Sequence, residues 1–169
     1  MLKTITRIAL LLILSAALTA CGFHLRGNIP LSDGIKNMYV VGPEGSFKDQ
    51  LERILTRAGA ELAVDRASAD VILDVTKASI KRTVGTLDER GKANSYNLLF
   101  SVKYSLKDIE GKNIRKPRGL NESRRYNFDP AEIVQSESEE AELLDDMEEQ
   151  VSLRIVRQLS TITDFQPST

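Results

Sequence analysis

The chain has 169 residues and a formal net charge of −1 at pH 7, from 23 Lys and Arg against 24 Asp and Glu. This length provides about one domain, and the balanced charge excludes the strongly basic composition that is typical of nucleic-acid-binding proteins. Cys21 is the single cysteine, which excludes a disulfide within the chain. We therefore expect one domain and no nucleic-acid partner.

The N-terminus has the pattern of a secretory leader. Lys3 and Arg7 precede an apolar run from Ile8 to Leu14, and small residues follow at 15–17. This run is shorter than the roughly 20 apolar residues that a membrane-spanning helix needs. We therefore predict that residues 1–20 form a signal peptide that is removed.

Leu18-Thr19-Ala20-Cys21 resembles the lipobox of bacterial lipoproteins, in which the thiol takes a lipid before cleavage. The alternative is an ordinary secretory signal followed by a chance cysteine. Lipoproteins that stay in the inner membrane usually carry Asp after the cysteine, whereas this chain has Gly22. The resemblance implies lipidation of Cys21, palmitate among the lipid chains, and a lipid-anchored location on the periplasmic side of the outer membrane.

Residues 21–34 contain Gly, Pro, Asn and Ser without periodicity, and we interpret them as a lipidated N-terminus and tether. A single domain is predicted over 35–163, and it opens with a strand at Lys36–Val41. Ser46 and Asp49 have the spacing of a capping box at the start of a helix that ends near Gly59. The apolar residues of that helix recur at helical spacing: Phe47, Leu51, Ile54, Leu55 and Ala58.

Three strands are predicted in the middle of the chain, and the first two have the clearer patterns. β-Branched residues favour a strand over Val71–Ile80, and apolar and mostly polar residues alternate from Ser95 to Lys107. This period of two is typical of an antiparallel sheet that is covered on one face only. Turns are predicted at the two Asp-x-x-Gly sequences that flank the second strand, residues 88–91 and 108–111.

A weaker strand is predicted from Ile114 to Phe128, where Pro117 and Gly119 favour an edge position or a bulge. Asp129 and Pro130 then predict the start of a long helix that reaches about Ile162, followed by a flexible tail at 164–169. The predicted buried stripe of the helix consists of Leu144, Met147, Val151, Ile155, Leu159 and Ile162. The predicted fold is an α+β two-layer sandwich, with a mainly antiparallel four-stranded sheet and two helices packed on one face.

Charge is unevenly distributed along the predicted domain. Residues 77–128 contain 13 Lys and Arg and five Asp and Glu, whereas residues 129–149 contain ten acids and no base. Two explanations remain open. The basic strands and the acidic helix pair internally or are simply solvated, or the basic segment binds a polyanionic ligand.

Groups for catalysis or metal binding are scarce in the sequence. His24, the single histidine, is three residues from Cys21, so the predicted domain has no histidine to serve a nucleophile and no zinc-type ligand set. The acidic group at Glu137, Glu139, Glu140 and Glu142 is interpreted as a solvated helix face. We therefore predict a binding or structural protein without enzymatic activity, cofactor or metal.

Cys21-Gly22-Phe23-His24-Leu25-Arg26 resembles the opening of mature LptE, the lipopolysaccharide-assembly lipoprotein family, in which Cys-Gly-aromatic-His-Leu-Arg recurs. Phe23, His24, Leu25 and Arg26 match this motif one by one, and the predicted element order also agrees.

The resemblance implies an outer-membrane plug and assembly partner of an LptD-like β-barrel, with lipopolysaccharide as a possible direct ligand. The nominated lipopolysaccharide-binding residues are Lys81, Arg82, Arg90 and Lys92. The alternatives are an auxiliary lipoprotein of another envelope lipid transporter and, third, an envelope hydrolase.

Overall fold

The structure is a computed structural model that describes residues 30–167. The predicted leader, Cys21 and the motif Phe23–Arg26 lie outside these residues. The helices and strands, in chain order, are β1 (Asn37–Val41), α1 (Ser46–Arg57), β2 (Glu61–Leu62), β3 (Val71–Leu87), β4 (Ala93–Asp108), β5 (Asn113–Asn127) and α2 (Ile133–Leu159). None of the helices in the described part combines the length and the apolar character that crossing a membrane requires.

The strands form one mixed sheet in the order β2-β1-β3-β4-β5. β1 is parallel to both β2 and β3, whereas β3, β4 and β5 are successive antiparallel hairpins. Both helices pack against this sheet, which confirms the predicted α+β class. The predicted count of four strands was wrong, because Glu61 and Leu62 form a two-residue strand beside β1.

The two hairpin turns are the predicted Asp-x-x-Gly sequences. In the first turn, Asp88 Oδ1 accepts hydrogen bonds from the backbone N–H groups of Arg90 at 2.9 Å and Lys92 at 2.8 Å. Gly91 has a φ of 77°, a left-handed conformation that glycine adopts with little strain. Asp108 and Gly111 repeat the arrangement in the second turn, so both turn predictions are confirmed.

β4 provides the centre of the hydrophobic core. Its alternating residues Leu98, Phe100 and Val102 are all buried beneath the helices. Phe100 packs edge-to-face against Phe47 of α1, with 5.1 Å between ring centroids. The predicted period-two pattern is confirmed, because the alternate residues Leu99 and Lys103 are exposed and Ser101 is partly exposed.

Part of β3 and the whole outer side of β5 have unpaired edges in the described chain. β1 pairs with β3 only as far as Asp74, so the remainder of that edge, up to Leu87, has no neighbouring strand there. β5 forms the opposite edge and carries Pro117, as predicted. A register shift between Arg115 and Arg118 leaves two β5 residues opposite one β4 residue, which is a β-bulge.

The predicted helix starts were wrong in detail. Ser46 is the first residue of α1, as predicted, but it makes no capping hydrogen bond, because its hydroxyl instead donates to Glu148 Oε1 of α2 at 2.9 Å. α2 begins at Ile133 rather than beside Pro130. Asp129 does not cap it, since its carboxylate closes a local turn by accepting the backbone N–H of Ala131 at 2.8 Å.

The predicted buried stripe of α2 is confirmed in its main part: Met147, Val151, Ile155 and Leu159 are buried, and Ile162 is buried just beyond the helix. Leu144 is only partly buried. Within the predicted tail, Phe165 packs partly buried against the core, and its carbonyl closely approaches Gly34. The domain limits at 35 and 163 stay a prediction.

Candidate functional site: the uncovered face of the sheet

The face of the sheet opposite the helices is uncovered along the three long strands. We call this surface the open face and define it by strand register as Lys77, Ser79, Lys81 and Thr83 of β3, Asn97, Leu99, Ser101 and Lys103 of β4, and Asn121, Ser123 and Arg125 of β5. Ten of these eleven side chains are polar or charged. The open face is therefore hydrophilic, whereas the other face of the same strands forms the core.

Positive charge dominates the open face. Lys77, Lys81 and Lys103 are exposed and form no salt bridge within residues 30–167. Asp74, the one acidic residue of β3, pairs with Lys107 at 2.5 Å. Nothing among the open-face positions neutralises the three lysines.

Two of these lysines lie directly opposite each other, since Lys77 of β3 is the register partner of Lys103 of β4. Side chains at directly opposed positions have Cβ atoms about 5 Å apart, and like charges there destabilise the sheet. A folded domain gains nothing from this arrangement by itself. Such a surface is suited to an anionic ligand that would lie across both strands.

The four nominated residues do not form one cluster. Lys81 lies on the open face, but its neighbour Arg82 lies on the helix side of the sheet, opposite Leu98. Arg90 and Lys92 lie in or beside the turn between β3 and β4. Sequence reasoning missed Lys77 and Lys103, although strand parity alone places Lys103 on the polar side of β4.

Arg82 has a structural role. Its guanidinium donates to Glu140 Oε2 at 2.8 Å and lies 4.4 Å from the centre of the Tyr96 ring. The Tyr126 hydroxyl also donates to Glu140. Burial, followed by the hydrogen bond to the Glu140 carboxylate, raises the pKa of Tyr126 to about 12. The hydrogen bond that Arg82 donates to Glu140 likewise raises the pKa of Arg82.

Glu140 therefore differs from the solvated helix face predicted for its acidic group, because it is partly buried and paired. Glu137, Glu139 and Glu142 are exposed as predicted. A second sheet–helix ion pair joins Arg124 of β5 to Asp146 of α2 at 3.1 Å. Internal pairing thus accounts for part of the charge asymmetry on the helix side, whereas the lysines of the open face have no ion-pair partner in the part of the chain that the structure describes.

The two helices enclose a buried polar contact. Glu148 is 6% exposed, and burial raises the pKa of its carboxyl group. Ser46 is its hydrogen-bond donor, and the Ser152 hydroxyl on α2 is buried without a partner in the described residues. These groups lie between helices rather than in an open cleft, so they are interpreted as interface groups and not as a catalytic site.

The comparison with protein families matches the LptE model, described as lipopolysaccharide-assembly, over residues 33–159. The chain belongs to the LptE family. The matched range includes every strand and both helices of the domain. LptE membership makes this chain a non-enzymatic lipoprotein of lipopolysaccharide assembly.

Solved structures share the LptE-type architecture. Lipoprotein B from Nitrosomonas europaea aligns with a TM-score of 0.68 and 23% identity over 83% of this chain and 91% of its own. A minor lipoprotein from Acinetobacter baumannii aligns with a TM-score of 0.63 and 25% identity, over 78% of this chain and 94% of its own. Rare lipoprotein B from Shewanella oneidensis aligns with a TM-score of 0.61 and 18% identity, over 74% of this chain and 92% of its own. A search of the curated proteins found no match.

Proposed function

We propose that this LptE-family chain is an outer-membrane lipoprotein, anchored through Cys21, that fills the lumen of an LptD-type β-barrel and supports its assembly. The family match over residues 33–159 carries this proposal. The specific partner and the plug role go beyond that match, and the shape and polarity of the open face support them.

The lumen of an outer-membrane barrel is polar, and its apolar outer band is about 25 Å tall. A plug must therefore present hydrophilic side chains over a comparable length. β3, β4 and β5 contain 17, 16 and 15 residues, which at the usual rise per residue extend for about 50 Å. The uncovered hairpins are long enough to span such a lumen, and their open face has the polarity that the lumen requires.

Direct contact with lipopolysaccharide is the second part of the proposal. Lipopolysaccharide carries phosphates near its lipid part, and ammonium groups bind phosphate through charge-assisted hydrogen bonds. Lys77, Lys81 and Lys103 provide three such groups on the open face without competing carboxylates. Among the nominated residues, Lys81 is therefore the strongest candidate, and Arg82 is the weakest because Glu140 already binds it.

Co-purification tests the partner. An affinity-tagged chain is isolated from detergent-solubilised envelopes, and a large heat-modifiable β-barrel protein is expected to elute with it. Recovery of an inner-membrane transport complex instead would favour the auxiliary-lipoprotein alternative.

Variants of the open face test how the partner and the ligand are bound. Lys81→Glu should retain the barrel but bind lipopolysaccharide less tightly than wild type. Ser79→Ala, two residues earlier on the same face, is the matched control. Equal lipopolysaccharide affinity in both variants would leave barrel assembly as the function and remove direct ligand binding at Lys81.

A further inference from the structure

A second basic feature lies on the helix side of the sheet, away from the open face. At the bulge of β5, the strand and the last turn of α2 enclose a cavity of about 300 Å³. We call it the edge pocket, and the residues that line it are Tyr104, Arg115, Lys116, Arg118, Arg157, Gln158, Leu159 and Thr161. Four of these eight residues are permanently cationic at neutral pH, and none is acidic.

The basic side chains of the edge pocket have only neutral partners in the described residues. Arg115 donates to Thr161 Oγ1 at 2.9 Å, and Arg118 donates to Gln158 Oε1 at 3.4 Å. No salt bridge within residues 30–167 involves either arginine, Lys116 or Arg157. A guanidinium has five N–H donors, so both arginines retain donors that are not used within residues 30–167.

The local sequence explains why the charges converge. Arg118 is the register partner of Tyr104, and Arg115 is the partner of Leu106, so both arginines lie on the helix side of β5. Because of the bulge, both arginines lie on the same face of β5 although an even number of residues separates them. The buried Tyr104 hydroxyl donates to Gln158 Oε1 at 2.5 Å and thereby holds the floor of the pocket.

Helix electrostatics explain only one of the four charges. A basic residue in the last turn of a helix stabilises the helix dipole, which accounts for Arg157. The three bases on β5 receive no such benefit, and they repel one another. Their positive field extends to the pocket floor: burial raises the pKa of Tyr104, and Arg118 and Arg115 oppose that rise.

We propose that the edge pocket binds a phosphate group. The planar guanidinium fork matches phosphate oxygens in a bidentate manner, and two arginines with an adjacent lysine provide the charge that a doubly ionised phosphate needs. A volume of about 300 Å³ is at the lower end of ligand sites, which suits a phosphorylated headgroup or a free phosphate rather than an acyl chain. The edge pocket lies on the helix side of the sheet, away from the lysines of the open face.

Isothermal titration of the purified whole chain in detergent with sodium pyrophosphate tests the edge pocket. Binding is expected, and it should weaken as salt is added. In Arg115→Gln/Arg118→Gln the affinity should fall by roughly tenfold or more for each lost charge-assisted contact. Arg57→Gln/Arg66→Gln removes the same charge from exposed positions outside both the edge pocket and the open face, and it should bind pyrophosphate like wild type.

Equal weakening in both double variants would overturn the proposal, because it would show attraction to net charge rather than a site. Absence of pyrophosphate binding by the wild type would overturn it as well. If the arginine variant unfolds, Lys116→Gln replaces it, since Lys116 is exposed and its loss should weaken binding without changing the melting temperature.

A second arm distinguishes the source of the phosphate. Phosphatidylcholine vesicles with and without phosphatidic acid are mixed with the detergent-free mature chain carrying Cys21→Ala, so that no lipid anchor contributes, and sedimentation measures binding. Stronger binding to the phosphatidic acid vesicles, lost in Arg115→Gln/Arg118→Gln, would identify a lipid headgroup. Pyrophosphate binding with no preference between vesicles would identify a soluble phosphate ligand. Co-purification of the barrel reports on the proposed function separately from either arm.

Discussion

Arg82→Glu should destabilise the domain, whereas Lys81→Glu should not. Arg82 is half-exposed, and exposed ion pairs contribute about 0–1 kcal/mol, so the bond to Glu140 falls within that range. The contact with the Tyr96 ring adds about 0.5–1 kcal/mol. Together these losses amount to about 0.5–2 kcal/mol, and the new carboxylate would also repel Glu140.

Urea denaturation of the mature chain carrying Cys21→Ala measures both effects. Surface changes without such contacts lie within about 0.5 kcal/mol of wild type, and Lys81→Glu also relieves repulsion on the open face. A double-mutant cycle of Arg82→Ala and Glu140→Gln should give a coupling energy below about 1 kcal/mol. Equal stability of the two charge reversals would refute the assignment of Arg82 to a helix–sheet contact and restore it as a ligand candidate.

Three further predictions follow from burial, pKa and lipidation. Phe100→Ala should cost about 3–5 kcal/mol because it empties a buried aromatic position, whereas Ser101→Ala on the open face should be nearly silent in thermal melts. Because burial raises the pKa of Glu148, the folded chain holds that proton more tightly than the unfolded chain. Stability from this group is therefore lost as the pH rises above about 4.3, and Glu148→Gln should stabilise the protein at pH 7 and flatten its pH profile. Cys21→Ala should abolish palmitate labelling, and label retained on that variant would contradict lipidation at the sole thiol.

Most of the fold could be predicted because the strong patterns in the sequence are local. The alternation along β4 and the two Asp-x-x-Gly turns each encode their structure within a few residues. β2 could not be predicted, since Glu61 and Leu62 are both exposed and two residues show no period. The N-cap predictions failed because the hydroxyl of Ser46 binds a residue 102 positions away, which no local rule detects.

The candidate site was predicted less well than the fold, and the reason is geometrical. The predicted strand ended at Ile80, so nothing in the prediction assigned Lys81 and Arg82 to opposite faces of a sheet. β3 continues to Leu87, and consecutive residues of a strand point to opposite faces. The extension therefore assigns Lys81 and Arg82 to different surfaces. The edge pocket is formed by a bulge in β5 and by the last turn of α2, which is distant in sequence. No local pattern in the sequence therefore indicated that its residues lie together.

The unpaired edge of β3 bears on how copies of this chain behave when they are crowded on one membrane. A long open edge invites another strand to add to the sheet, and natural proteins oppose this with lysines placed along it. Lys77 and Lys81 lie on this edge, and a second copy that docked there in antiparallel fashion would bring its own lysines against them. The charges that make the open face attractive to an anion thus also act as a mutual barrier to self-association. Screening by salt, or neutralisation by a bound polyanion, would lower that barrier.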